Sequence, residues 1–292
     1  MSPYHNLGEI GFVIPENMWP NLSIDELDLC WEVHTILSNP DKDKIVACIP
    51  WIKSKIITEA IWSKIPFVNC LQVKEITLDM SNTMDWIVRG LFPQAKRTLD
   101  RFHVTWNVLE DIQAIRMRIK TIIKDEELKI EDQCKIDRKK YIPRKLENSE
   151  SRLDFIKRLH YQIFKRRKDW NEFQVNRRET LKLHNEFNDI KIGYEILEKF
   201  YEIYDSEISK EKAKPLWNDW LKKISQYTNI IELQNSWRTI SNHLEWILNY
   251  FDNRFTNAFA EWLHSRIRRM ISNVRWFKNK HYMLYRIMKT FA

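Results

Sequence analysis

The chain has 292 residues, of which 43% are hydrophobic and 13% aromatic, and a net charge of +8. This composition predicts a folded protein of one or two domains rather than a disordered chain. The chain has four glycines and neither GxGxxG nor GxxxxGK[ST], which argues against a nucleotide cofactor. The four cysteines lack CxxC spacing, no run of about 18 apolar residues occurs, and no signal peptide is recognisable. We therefore expect reduced thiols, no zinc ribbon, no membrane span and a cytoplasmic location.

The first third of the chain predicts short strands and helices. Three strands are followed by a helix, a fourth strand, a second helix and a fifth strand, preceded by an N-terminal segment of about 22 residues that we interpret as irregular. In chain order these elements cover 22–25, 33–37, 45–49, 52–65, 73–78, 84–92 and 96–99. Pro66 and Pro93 end the helices, and Asp79 and Asp100 end the last two strands. This order resembles the ribonuclease-H-like fold and predicts an α/β protein with a mixed five-stranded sheet.

The rest of the chain predicts helices almost throughout. From Val104 onward apolar residues recur at spacings of three and four, with breaks predicted at Pro143 and Pro215. Most of the 13 tryptophans, at this spacing, are predicted to lie in helical cores. We predict three parts: 1–111 as the first part of the core domain, 112–240 as a large all-α insertion, and 241–292 as its last part with basic C-terminal helices.

Three acids come from separate predicted elements. Asp25 belongs to the first strand, Asp79 ends the fourth, and Glu261 lies on a late helix. Carboxylates collected in this way are the hard oxygen ligands that Mg²⁺ prefers, and two such ions can assist phosphoryl transfer. Each acid also has a simpler interpretation. Asp25 could be a turn residue, Asp79 a helix cap, and Glu261 an exposed acid that pairs with Ser265 or Arg268.

The C-terminal region is strongly basic. Residues 254–292 carry nine Lys or Arg and one acid, Glu261. Such cations can neutralise phosphates, and the aromatic residues among them can stack on unpaired bases. The candidate DNA contacts are Arg266, Arg268, Arg269, Arg275, Lys278 and Lys280. The runs 165–168 and 177–178 are second candidates, and a solvated cationic surface is the alternative interpretation.

Four stretches resemble the DDE-type transposases of bacterial insertion sequences, in the branch called ISL-three. They are Ser23-Ile24-Asp25-Glu26, Glu75-Ile76-Thr77-Leu78-Asp79-Met80, Asp100-Arg101-Phe102-His103-Val104 and Asn257-Ala258-Phe259-Ala260-Glu261. The resemblance implies a ribonuclease-H-like core in which an all-α insertion precedes the last catalytic helix. It implies Asp25, Asp79 and Glu261 as the triad that holds Mg²⁺ or Mn²⁺. Asp100, His103 and Asn257 would support this site, and Asp100 is the main alternative for a triad position.

The same resemblance implies an activity and partners. It implies a metal-dependent polynucleotidyl transferase that cleaves and joins DNA strands at the ends of an insertion sequence, using two divalent metals. The implied partners are element ends and target DNA, a homo-oligomer on that DNA, and a separately encoded DNA-binding protein, with nucleoid association. The chain departs from the family where His264 stands in place of an Asn and where Arg replaces Lys after Glu261. A degenerate, catalytically inactive transposase remnant that still binds DNA is the alternative.

Overall fold

The structure is a computed structural model that describes residues 11–51, 53–273 and 279–292. Its backbone divides into two compact units. The first, here called the sheet unit, comprises Met1–Val104 and Glu245–Ala292, and the second, the helical unit, comprises Thr105–Leu244. The sheet unit is thus built from two separate stretches of chain. That these units are a catalytic core and an insertion remains a proposal.

The sheet unit contains one mixed six-stranded sheet in the order β1-β4-β3-β2-β5-β6. The strands are β1 Phe12–Val13, β2 Asn21–Leu29, β3 Glu32–Asn39, β4 Lys44–Pro50, β5 Glu75–Leu78 and β6 Lys96–Leu99. β1, β4, β3 and β2 pair antiparallel, whereas β2, β5 and β6 run parallel. The carboxyl ends of β5 and β6 therefore meet beside the middle of the longer β2.

The prediction of five strands was wrong by one. β1 lies in the N-terminal segment that we interpreted as irregular, and it pairs with Cys48 and Ala47 of β4. Gly11, just before β1, has a φ of +77°, and a Cβ there would lie 2.2 Å from the carbonyl oxygen of Cys48. Only glycine fits this approach. A two-residue strand shows no alternation of apolar and polar residues, so the sequence pattern does not reveal it.

Twelve α-helices occur in the described ranges. They are α1 Ser54–Trp62, α2 Phe67–Cys70, α3 Asn82–Leu91, α4 Arg101–Ile136, α5 Arg152–Ile163, α6 Glu172–Leu183, α7 Asn188–Asp205, α8 Lys210–Ser225, α9 Ile231–Asn242, α10 Leu244–Asn253, α11 Ala258–Asn273 and α12 Lys280–Phe291. No strand of the sheet falls within 112–240, a range that is described in full. Within the described residues, no helix is long and apolar enough to cross a membrane.

Pro215 does not end a helix as predicted, because it lies inside α8. A proline removes its own backbone hydrogen bond, but packing can offset that loss. Two turns of α8 carry Trp217 and Trp220, which pack edge-to-face and contact Phe200 of α7. Both tryptophans are buried. The apolar contacts thus extend the helix through the proline.

The prediction that most tryptophans lie in cores was also wrong. Trp217 and Trp220 are buried, but seven of the described tryptophans are exposed. These are Trp19, Trp31, Trp51, Trp62, Trp86, Trp106 and Trp262. Helical spacing shows which residues share a face, but it does not show whether another element covers that face.

One face of the sheet is covered by the last two helices. Leu27 of β2 and Ile45 of β4 belong to a buried cluster with Leu263 of α11 and Leu284 of α12. α11 packs against β2, and α12 packs against β4. α1 also contacts β4, which is buried from Ile45 to Pro50. This packing brings α11, the helix of Glu261, onto the strand that carries Asp25.

Candidate active site

Parallel pairing aligns three aspartates at one end of the sheet. The register of β2 and β5 sets Ser23 opposite Thr77, and the register of β5 and β6 continues this row. Two residues further along each chain lie Asp25, Asp79 and Asp100. Side chains two residues apart in a strand share a face. The alignment therefore directs three acids from three neighbouring chain segments to the same side of the sheet.

Asp25 lies within β2, paired with Ile36 of β3, and not in a turn. Its Oδ1 accepts a hydrogen bond from the Glu26 N–H at 2.8 Å. Only 13% of its side chain is exposed. Burial raises the pKa of Asp25 to about 6, and the negative charges of Asp79 and Asp100 add to this effect. Asp25 therefore holds a proton more tightly than an ordinary aspartate.

Asp79 directly follows β5 and is half-buried. Its Oδ1 accepts a hydrogen bond from the Ser81 N–H at 2.8 Å. Ser81 is the N-cap residue of α3, because its hydroxyl accepts a bond from the Met84 N–H. Ser81 thus has the capping role that was the alternative interpretation of Asp79. Asp79 shapes the turn that leads into this helix.

Asp100 is buried and both of its oxygens are engaged. Oδ1 accepts the Asn257 N–H at 3.1 Å, and Oδ2 lies 3.0 Å from Nδ1 of His103. This hydrogen bond raises the pKa of His103, against the effect of burial. The Asn257 side-chain oxygen in turn accepts a hydrogen bond from the Ser23 hydroxyl. Asp100 and Asn257 therefore join the beginnings of α4 and α11 to the sheet.

Glu261 lies in the first turn of α11 and is exposed. Its N–H donates to the Asn257 carbonyl oxygen at 2.9 Å. Partial burial raises the pKa of Glu261, and the charge of Asp100 adds to the rise while His103 opposes it. Asp25 also interacts with Asp100 and His103. The structure thus brings Asp25, Asp79, Asp100, His103 and Glu261 into one electrostatic cluster.

The kind of donor in this cluster suits a divalent cation. Mg²⁺ binds carboxylate oxygens, retains several waters and needs as few as one or two protein carboxylates. Asp25 is a largely buried acid near other acids, and burial followed by the charges of Asp79 and Asp100 raises its pKa. Among the described residues, however, no three His, Cys, Asp or Glu side chains are close enough to hold one ion together. The carboxylates of this cluster are the type of ligand that a divalent cation prefers. In the described residues they are not gathered around a single point.

His264 of α11 and Ser23 of β2 were missing from the predicted site. Nδ1 of His264 lies 3.7 Å from Oδ2 of Asp25. Burial lowers the pKa of His264 to about 4, and the charge of Arg268 contributes. The imidazole is therefore neutral near pH 7. Its contact with Asp25 is thus not an ion pair, although the two atoms are within 4 Å of each other. Spacing could have indicated both residues, because Ser23 precedes Asp25 by two and His264 follows Glu261 by three.

The predicted cations fall into three groups. Arg266, Arg268 and Arg269 are exposed on α11. Lys280 of α12 forms an ion pair with Glu32 of β3. The predicted contacts Arg275 and Lys278 lie outside the described residues. Among the first candidates in the described ranges, the arginines of α11 are thus the most accessible to a polyanion.

One of three comparisons with known proteins finds a family for the chain. A family model of ISL3-type DDE transposases, described as "Transposase", matches residues 22–287. A comparison with curated proteins finds no match, nor does one with solved structures. The matched range includes Asp25, Asp79, Asp100 and Glu261 together with the whole helical unit. The chain therefore belongs to the ISL3 family of transposases.

Proposed function

We propose that this transposase cleaves and joins DNA strands at the ends of an insertion sequence by DDE chemistry on a ribonuclease-H-like core. Asp25, Asp79 and Glu261 form the proposed triad. The observation that carries the proposal is the parallel pairing of Ser23 with Thr77, which lie two residues before Asp25 and Asp79. It is supported by the packing of α11, the helix of Glu261, against β2. Ligands of this class of fold typically bind near the carboxyl ends of parallel strands.

The triad supplies carboxylate oxygens for Mg²⁺ or Mn²⁺. Two such ions, when bound, activate the attacking oxygen and stabilise the leaving oxygen of a phosphodiester. Asp25 must lose its proton before it can bind a cation, and burial raises its pKa to about 6. Cation binding at Asp25 therefore releases a proton below this pH and strengthens as pH rises through it.

Asp100, His103 and Asn257 act as positioning residues in this proposal. Both Asp100 oxygens already accept or share hydrogen bonds within the protein, from Asn257 and His103. A carboxylate engaged in this way is less available to a cation than Asp79, whose Oδ1 accepts the Ser81 N–H in a local turn. Asp100 instead holds the first turn of α11, where Glu261 lies, against the sheet. This difference favours Asp79 over Asp100 for the second triad position.

DNA contacts are assigned to the exposed cations. Arg266, Arg268 and Arg269 follow Glu261 on α11, so a strand bound along them would lie near the acids. Cations neutralise phosphates without reading base sequence. We propose that recognition of element ends requires a homo-oligomer on DNA and a separately encoded DNA-binding partner. In this scheme the sheet unit is the catalytic core and the helical unit is an insertion in it.

Matched aspartate variants test the triad. Asp79→Asn removes a ligand charge at nearly constant volume, and Mg²⁺-dependent nicking of an end-containing duplex should become undetectable. Asp100→Asn should lower nicking by about 10- to 100-fold, the usual effect of losing a group that orients a ligand. Asp43→Asn, in an exposed turn, is the control and should retain full activity.

Two results would contradict the assignment. Full nicking by Asp79→Asn together with complete loss in Asp100→Asn would give the second triad position to Asp100. DNA binding by the unmodified protein without nicking, with Mg²⁺ and the partner supplied, would identify an inactive remnant. Circular dichroism of each variant would show whether the fold persists, so that a loss of activity is not a loss of folding.

A further inference from the structure

A cavity of about 340 Å³ opens on the helical unit. Its lining residues belong to a different part of the chain from the acids of the sheet unit. One of its sides is a face of α7, on which the lining residues 194, 198, 201 and 205 recur at spacings of three and four. Another side is the turn at 166–170, which contains most of the basic run 165–168. The proposed catalytic site uses none of these residues.

Aromatic side chains form a rigid part of the cavity lining. The Trp170 indole N–H donates to the Lys165 carbonyl oxygen at 3.1 Å, which sets the orientation of the ring. Trp170 and Tyr194 meet edge-to-face, with ring centroids 5.9 Å apart. The guanidinium of Arg166 lies 3.6 Å from the centroid of the Tyr201 ring. Indole and guanidinium planes are the surfaces on which proteins stack unpaired bases.

Buried polar atoms without hydrogen-bond partners cluster at the same cavity. Within the described part of the chain they include Nη1 of Arg166, the hydroxyl of Tyr194 and Oε1 of Glu198. Tyr194 is only 1% exposed. The nearest cationic nitrogens to Glu198 Oε1, on Arg167 and Arg178, are 3.7 and 3.8 Å away, too far for hydrogen bonds. The Glu198 side chain as a whole is 27% exposed, so its carboxylate can still be reached from the cavity that it lines.

These groups together describe the ligand. Arg166 is already paired with Asp205, whereas the Glu198 carboxylate can accept hydrogen bonds from a ligand. A flat ring with an amino group on its edge could donate to Glu198, and guanine, cytosine and adenine each have such a group. Arg167 and Lys168 are exposed at the rim, where they can neutralise an adjoining phosphate. A ligand that combines such a base with a phosphate is a nucleotide.

We propose that this cavity binds an unpaired DNA base that carries an amino group, stacked on Trp170 and hydrogen-bonded to Glu198. Membership of a transposase family makes DNA the source of the nucleotide. A base in a duplex must leave its stack to enter such a cavity, which gives the helical unit a role where strands are opened or distorted. The inference depends on DNA as the substrate and not on the identity of the triad.

The test compares a duplex that contains one bulged guanine with the fully paired duplex. Binding is measured by fluorescence anisotropy in EDTA, so that cleavage does not occur. The unmodified protein should prefer the bulged duplex. Trp170→Ala should reduce this preference by about tenfold, as expected for the loss of one stacked base, while Trp170→Phe should keep most of it. Trp86→Ala, an equally large change at an exposed position in the sheet unit, should leave the preference unchanged.

A second pair of variants separates the base from the phosphate. Glu198→Gln should narrow the preference for bulged guanine over bulged thymine, which lacks an amino group. Lys168→Gln should weaken bulged and paired duplexes equally, relative to the control Lys140→Gln. Circular dichroism would confirm that the Glu198 variant is folded. If it is not, the Trp170 variants carry the test.

Three outcomes would overturn the proposal. The first is that the unmodified protein binds bulged and paired duplexes equally. The second is that Trp170→Ala retains the full preference for the bulge. The third is competition by free dGMP at the affinity of the bulged duplex, which would assign the cavity to free nucleotides. The binding assay contains no metal, so its result does not depend on Mg²⁺-dependent nicking. A failure of this proposal can therefore be distinguished from a failure of the proposed catalytic function.

Discussion

Asp25→Asn should make the metal-free protein more stable while it removes a proposed metal ligand. The Asp25 carboxyl is largely buried beside Asp79 and Asp100, and its pKa is raised from 3.8 to about 6. An Asn side chain has nearly the same volume, carries no charge, and can still accept the Glu26 N–H through its Oδ1. The substitution therefore relieves the cost of a buried charge and keeps the local hydrogen bond.

The raised pKa sets the size and the pH range of this effect. Because the folded protein binds the Asp25 proton more tightly than the unfolded chain, the destabilisation is absent below pH 3.8 and complete above about pH 6. The rise in the pKa of Asp25 corresponds to a destabilisation of the folded protein by about 3 kcal/mol at most. Burial of the new amide offsets part of it, so we expect a gain of about 1–3 kcal/mol at pH 8 and nearly none at pH 4.

Urea unfolding in EDTA at pH 4 and pH 8 measures this gain as the difference between the variant and the unmodified protein. The difference removes the contributions of other groups that titrate in this range, such as His103, whose pKa is raised. Asp43→Asn, in an exposed turn, is the matched control and should change stability little at either pH. A variant that is less stable at pH 8, or equally stabilised at both pH values, would refute the reasoning.

Three further predictions follow from the same contacts. Replacing Arg268 and Arg269 by Ala should weaken DNA binding equally for all sequences, with a salt dependence shallower by roughly 2 in a log–log titration; an unchanged slope would contradict it. Gly11→Ala should lower the free energy of unfolding by about 1–3 kcal/mol because of its φ of +77° and the close Cys48 oxygen, as urea titration would show. Asn257→Ala should cost about 1–2 kcal/mol, since Ser23 loses its buried acceptor, and should reduce nicking more than DNA affinity.

Most elements that position the acids could be predicted from local patterns. The predicted strand 96–99 coincides with β6, and 73–78 contains β5. The predicted helix 84–92 corresponds to α3, whose first residue follows the cap Ser81. The helix predicted over 52–65 was less accurate, because it ends as α1 at Trp62 and a separate short helix, α2, follows Pro66. Ile52 lies outside the described residues.

The details of the site depended on contacts between distant segments. Ser23 and Asn257, 234 positions apart, share a hydrogen bond that no local pattern predicts. His264 meets Asp25 only because α11 packs on β2. The engagement of both Asp100 oxygens, which separates Asp100 from Asp79, likewise requires the beginning of α11. Contacts between distant segments therefore provide the evidence that distinguishes the proposed roles of Asp79 and Asp100.

The sequence by itself determined the order of the elements and the acids carried by them, because strand alternation, helical spacing and proline breaks act over a few residues. It also placed a single acid, Glu261, within a basic C-terminal region. The tertiary structure alone decided the register that aligns Asp25 with Asp79, the pairing of β1, and the cavity beside Trp170. These features arise when apolar faces from distant parts of the chain are buried together, and that choice is made by the packing of the whole unit.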